Sequence, residues 1–179
     1  MKRTAIFVLT LLTFAGLTLA QDREQPSARS QERITKEVRH ELLMLPYFGV
    51  FDNIAYKVDG PTVTLLGQVV RPVTKSDAET SVKHIEGVEK VDNQIEVLPP
   101  SPMDDRIRME LFRAIYGYPA LEKYALGVQK PIRIIVKNGH ITLEGVVDSE
   151  ADKNLAGIRA NGIPETFSVQ NNLRVESSK

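Results

Sequence analysis

Apolar residues return every four positions at Ile34, Val38 and Leu42, and again at Ile107, Leu111 and Ile115. That spacing is the mark of one buried stripe along a helix, so the pattern predicts a helix at each place, the second starting at a cap supplied by Asp104 or Asp105. A hairpin follows each stripe. Ile54 to Val58 and Val63 to Leu65 flank the turn Asp59-Gly60-Pro61, while Ile132 to Val136 and Ile141 to Leu143 flank Lys137-Asn138-Gly139-His140. Each is read as a β-hairpin, and the Asn-Gly pair is the strongest short signal for one. A further helix is expected from Pro72, a favourable first-turn residue, ending before Gly87. Its counterpart starts at Ser149, with Asp152 spaced for a capping box. This second copy carries Gly157 and Gly162 and precedes Pro164, so it is expected to be shorter or frayed. Closing strands are expected over 91–97 and 167–175.

These elements form one unit written twice. Val63-Thr64-Leu65-Leu66-Gly67 corresponds to Ile141-Thr142-Leu143-Glu144-Gly145, and Val91 to Val97 corresponds to Val169 to Val175, both at a separation of 78 positions. The first helices align at 73 positions. Five extra residues therefore fall within 118–131 of the second copy, and a length difference confined there predicts a surface loop. The fold class that follows is α+β: two tandem small modules, each helix-strand-strand-helix-strand. Leu65 and Leu143 are expected on the core face of equivalent strands, and Gly67 and Gly145 beneath a closely packed helix.

The ends and joints have their own composition. Residues 1–20 carry Lys2 and Arg3, an apolar run from Ala5 to Leu19 and small residues at Thr18 and Ala20. They read as a signal peptide cleaved near Ala20, with an uncleaved anchor as the alternative, which implies export to the periplasm, or release beyond it. Residues 21–30 have no apolar periodicity and read as a disordered lead-in. The modules are expected at 31–98 and 104–176, joined by a Pro-rich linker over 99–103.

Composition narrows the chemistry. With no cysteine there is neither a disulfide nor a thiolate metal site. Beyond the leader, 21 basic residues meet 23 acidic ones, a balance with no nucleic-acid footprint. His40, His84 and His140 lie apart without metal-ligand spacing, and each is expected to be solvated or to cap a helix. No phosphate-binding glycine loop, nucleophile elbow or paired carboxylate set is present. No catalytic residue, metal or cofactor is expected.

The quoted motifs, together with Glu86-Gly87-Val88-Glu89-Lys90-Val91 and the two Asn-x-Ile/Leu-x-Val strands at Asn93 and Asn171, make the chain resemble the BON domain family across both copies. The departure is Glu165, which stands where the first copy has Gly87. The resemblance implies a three-stranded mixed sheet backed by two helices, in non-enzymatic periplasmic proteins of the envelope. The overall likeness is to the two-domain, hyperosmotically inducible type, and it implies a role in osmotic stress, envelope integrity and phospholipid binding. Two kinds of partner follow, an anionic phospholipid membrane surface or an envelope protein held by a BON scaffold.

A candidate surface follows from the helical wheel. With Ile107, Leu111 and Ile115 inward, Arg106, Met109, Phe112, Arg113 and Tyr116 fall on the far side, mixing arginine with large apolar groups as a headgroup boundary requires. The corresponding first-copy residues, Arg33, Lys36, Arg39, His40 and Leu43, are mainly basic. The rival reading has the first copy covering Met109, Phe112 and Tyr116 across the linker. The aromatics of 45–51 and 116–124 carry the same pair of readings, as closure of a small core or as a partner contact.

Overall fold

The computed structural model describes residues 28–176. The expected leader and its cleavage point lie outside the described residues. Helix α1 (Ala28–Leu43) buries Ile34, Val38 and Leu42, and helix α3 (Pro102–Tyr116) buries Ile107, Leu111 and Ile115, the stripes set by the four-residue spacing. Helix α1 begins three residues before the end of the segment expected to be disordered, so Ala28, Arg29 and Ser30 are helical.

In the first module β1 (Asn53–Asp59) and β2 (Thr62–Val69) form an antiparallel hairpin, with Val58 opposite Val63. Helix α2 (Pro72–Lys83) then crosses over, and β3 (Lys90–Asn93) and β4 (Glu96–Val97) run parallel to β2. The second module repeats this with β5 (Ile132–Lys137), β6 (His140–Val147), α4 (Glu150–Asn161), β7 (Ser168–Asn171) and β8 (Arg174–Val175). Each module is therefore a mixed sheet with three strand positions and two helices, the third position held by two short strands.

The break in that third strand departs from the continuous strands expected, and one asparagine per copy accounts for it. Asn93 accepts the N–H of Ile95 at 3.2 Å and donates to the Lys75 carbonyl of α2 at 3.0 Å. Asn171 does the same with Leu173 (3.2 Å) and Lys153 (2.7 Å). The motif asparagine thus pins helix to strand and turns one backbone N–H away from the ladder. Register is unchanged across the break: Leu65 faces Asn93 and Gln68 faces Glu96.

Several local expectations are corrected. The cap of α3 is Ser101, whose side chain accepts the Asp104 N–H at 3.2 Å, and Pro102 opens the helix, so it starts inside the expected linker. Asp104 is buried instead, and its carboxylate accepts the N–H groups of Asn138 and Gly139 at 2.8 Å each, holding the β5–β6 turn. Helix α4 is neither shorter nor frayed; it has 12 residues, as α2 does. Ser149 caps it as expected, accepting the Asp152 N–H at 3.1 Å, and Gly157 makes room for Asn171, whose amide would lie 2.8 Å from an added Cβ.

Gly67 and Gly145 are also explained by something other than an overlying helix. Their φ angles are +111° and +123°, and an added Cβ would meet the neighbouring strand's carbonyl oxygen, of Asn53 and Pro131, at 2.0 and 1.9 Å. Glu165 keeps the left-handed turn of Gly87, at φ 62° against 88°, so the departure from the motif leaves the backbone path intact.

The five-residue insertion is more than a surface loop. It contributes a short 3-10 helix (Glu122–Ala125), and Leu121 and Tyr124 are buried in the second module's core. Tyr124 donates to Asp152 at 2.8 Å and accepts the Asp148 N–H at 2.8 Å, so the segment is fastened to the start of α4.

The modules are docked on each other. β5 lies at the edge of its sheet, and its Ile134 N–H donates to the Val50 carbonyl of the first module at 2.9 Å. Arg133 donates to the Gly49 carbonyl at 2.9 Å, Gln129 to the Leu43 carbonyl at 2.9 Å, and Lys137 pairs with Glu96. Val50 and Phe51 pack against the second core. This docking covers part of a sheet edge that would otherwise expose unpaired backbone groups.

Candidate binding surface of the second module

The five residues placed on the far side of α3 divide in the structure. Tyr116 is only 4% exposed, and its hydroxyl donates to the Ile132 carbonyl at 2.5 Å and accepts the Ile132 N–H at 3.2 Å. It belongs to the core, because α3 packs on β5 and the Tyr116 side chain reaches the Ile132 backbone there. Burial raises its phenol above the usual range. Tyr116 is therefore withdrawn from the candidate surface. Phe112 is half-buried: its ring meets Phe51 of the first module edge-on, with centroids 6.4 Å apart, and Tyr116 at 5.1 Å. The interdomain reading thus holds for Phe112.

Met109, at 43% exposed, Arg113 and Arg106 do face outward. Arg106 is paired with Glu165, on the turn before β7, much as the equivalent Arg33 donates to the Glu86 carbonyl in the first module at 3.1 Å. Arg113 has no ion-pair partner among the described residues. Helix α4 packs beside α3, where Arg159 donates to the Ala114 carbonyl at 3.2 Å, and Ile158 next to it is 68% exposed. Met109, Arg113 and Ile158 therefore share the outer surface of one helical layer. The aligned first-module residues are Lys36, His40 and Thr80, so the apolar character is confined to the second copy.

The aromatic clusters largely close cores or joints. Phe48 lies under the Arg133 guanidinium, 4.4 Å from the ring centre, and Tyr118 under Arg159 at 4.8 Å. Tyr47 is the exposed member, with Arg71 5.3 Å from its ring centre.

Other buried or exposed groups had no signal in the periodicity. Arg108, on the core side of α3, is buried and donates to the Val136 carbonyl at 2.6 Å and to Asp105 at 2.5 Å. Leu126 and Val128 project from the inserted loop at 83% and 98% exposed, and Lys130 ties that loop by donating to the Ala125 and Gly127 carbonyls at 2.6 Å each. Lys123 bridges Asp148 (2.8 Å) and Asp152 (2.9 Å), which raises its ammonium above the usual range. Desolvation pushes the Asp152 carboxyl upward, but the bonds from Lys123, Tyr124 and Ser149 outweigh it and hold the group below the usual value.

The three histidines occupy two separate places. His40 and His84 line one groove of about 470 Å³ between α1 and α2, a juxtaposition the sequence does not reveal. His84 is the C-terminal cap of α2, with Nδ1 2.6 Å from the Thr80 carbonyl, and His140 Nδ1 lies 2.7 Å from Ser168 Oγ. Among the described residues no group of three or more histidines and carboxylates is arranged to hold a metal ion. No described helix is long and apolar enough to cross a membrane.

The sequence matches the family model for the BON domain over residues 30–99 and 119–177. The second match begins after α3, so it is the repeated geometry that equates α3 with α1. No curated protein matches the sequence. Among solved structures the chain is similar to CdsD, a structural protein of the type III secretion system of Chlamydia trachomatis, at 11% identity and a TM-score of 0.29, covering 81% of this chain and 94% of that one. A structure of the C-terminal domain of CdsD gives 12% identity and a TM-score of 0.28, with 79% and 96% covered. Likenesses of this size carry no argument about what the chain does.

Proposed function

Since this chain belongs to the BON domain family, a family of envelope-associated binding modules, we propose that it is a non-enzymatic protein that associates peripherally with anionic phospholipid surfaces. The reading rests on one observation: Met109 and Ile158 project with the unpaired Arg113 from a single helical layer of the second module, while the same positions in the first module are polar. An apolar group enters the acyl boundary only where its neighbours tolerate the headgroup region, and arginine beside it meets phosphate. The loop tip at Leu126 and Val128 adds further apolar surface to the same module. Export through the leader at 1–20 and a setting in osmotic stress and envelope integrity complete the proposal.

Co-sedimentation with phosphatidylglycerol-containing and purely zwitterionic vesicles tests it. Pelleting with the anionic vesicles, weakened by salt, is expected for the wild type. Met109→Glu combined with Ile158→Glu should reduce it at least tenfold without moving the melting temperature, because both side chains are exposed. Absence of lipid-dependent pelleting at low salt would sink the proposal and leave the BON units as a scaffold for an envelope protein.

A further inference from the structure

A cleft of about 380 Å³ lies between the two modules, beside the β1 edge, and three arginines from three different elements converge on it: Arg39 of α1, Arg133 of β5 and Arg174 of β8. Phe48, Ile54 and Tyr56 supply an apolar wall, and no aspartate or glutamate lines the cleft. In a chain with equal numbers of acids and bases, such segregation needs a physical reason.

Arg133 is fixed in place. It donates to the Gly49 carbonyl (2.9 Å) and to Gln129 Oε1 (3.2 Å) and stacks on Phe48, which leaves three of its five N–H groups without a partner. The one carboxylate acting on it is Asp52, whose oxygens are already taken by the Gly49 and Val70 N–H groups at 2.8 Å each. Arg39 and Arg174 are exposed and have no ion-pair partner among the described residues. Asp52 is the one acid acting on Arg133, and Arg39 and Arg174 have no such partner among the described residues, so the cleft carries surplus positive charge that a bound anion offsets. The guanidinium fork pairs with carboxylate and phosphate alike, but a tetrahedral oxyanion offers three oxygens to three arginines at once where a carboxylate offers two.

We propose that the cleft is a phosphate-binding site shared by the two modules, with the apolar wall accepting an aliphatic or aromatic portion of a phosphorylated ligand. The site is separate from the helical layer of the second module and stands or falls independently of it. The phosphate could be that of a soluble compound or of a lipid headgroup, and the probes distinguish the two.

Calorimetric titration of the intact purified chain at fixed ionic strength, with inorganic phosphate and with dihexanoyl phosphatidylglycerol below its micelle concentration, reads the site. Both should bind, and Arg39→Gln combined with Arg174→Gln should weaken both at least tenfold while leaving unliganded melting unchanged. Equal affinity for the two probes points to soluble phosphate compounds; tighter binding of the lipid points to a headgroup with its acyl chains on the apolar wall. Met109→Glu with Ile158→Glu should leave phosphate binding intact, which separates this site from vesicle association. Failure of both probes to bind, or wild-type affinity in the arginine double variant, overturns the proposal.

Discussion

Replacing Phe112 by alanine removes a ring that the second module shares with the first, and its cost measures how strongly the modules are coupled. A fully buried phenylalanine costs about 3–5 kcal/mol on truncation. Phe112 is half-buried and meets Phe51 across the joint at 6.4 Å, so about 2 kcal/mol is expected, of which roughly 0.5–1.5 kcal/mol belongs to the aromatic pair. If the second module melts by itself, that is a fall of about 8–16 °C; if both modules melt as one cooperative unit, about 4–8 °C. Calorimetric melting of Phe112→Ala, Phe51→Ala and the double variant resolves the two, because residues in contact show a coupling energy and independent ones do not. Met109→Glu is the control: its side chain is outside the joint and its melting should match the wild type. A Phe112→Ala protein melting within a degree of the wild type, with no coupling to Phe51, would refute the docking of the modules through these rings.

Two further outcomes follow from the described cores and ion pairs. Leu65 and Leu143 occupy equivalent, fully buried positions, so truncating either to alanine should cost about 2–5 kcal/mol; wild-type denaturant midpoints in both would contradict the repeat. The Asp152 carboxyl is held below its ordinary value near 3.8, so its contribution is complete at neutral pH and disappears as the pH falls through the lowered folded value. The stability gap between wild type and Asp152→Asn should therefore be constant above about pH 5 and close at lower pH, and a gap independent of pH would exclude the Lys123–Asp152 pairing as its source.

What the sequence by itself determined was the part set by local period and by the plainest turn and cap signals; the Ser101 cap and the strand breaks at Asn93 and Asn171 are local too, and were not read. The four-residue spacing of Ile34, Val38 and Leu42 located the buried stripe of α1, and its repetition located that of α3. Asn138-Gly139 marked a turn in which both residues have positive φ, and Ser149 marked a cap. The 78-residue offset carried over to the registers of both sheets, where Leu65 faces Asn93 as Leu143 faces Asn171. These features depend on residues within a turn or two of each other, or on a repeat that states the same solution twice.

The tertiary structure alone decided which polar and aromatic groups those elements bring together. A helical wheel gives Tyr116 a direction but not the β5 backbone that covers it, and it cannot separate Met109, which meets solvent, from Phe112, which meets another module. Asp104 has the composition of a cap, yet a turn 34 residues away claims its carboxylate because Ser101 already satisfies the helix end. Arg39, Arg133 and Arg174 are unremarkable in a charge count and become one cleft only when the modules dock. Period tells which residues share a face; contacts between residues far apart in the chain tell what that face meets, and burial, pairing and binding chemistry all depend on the second.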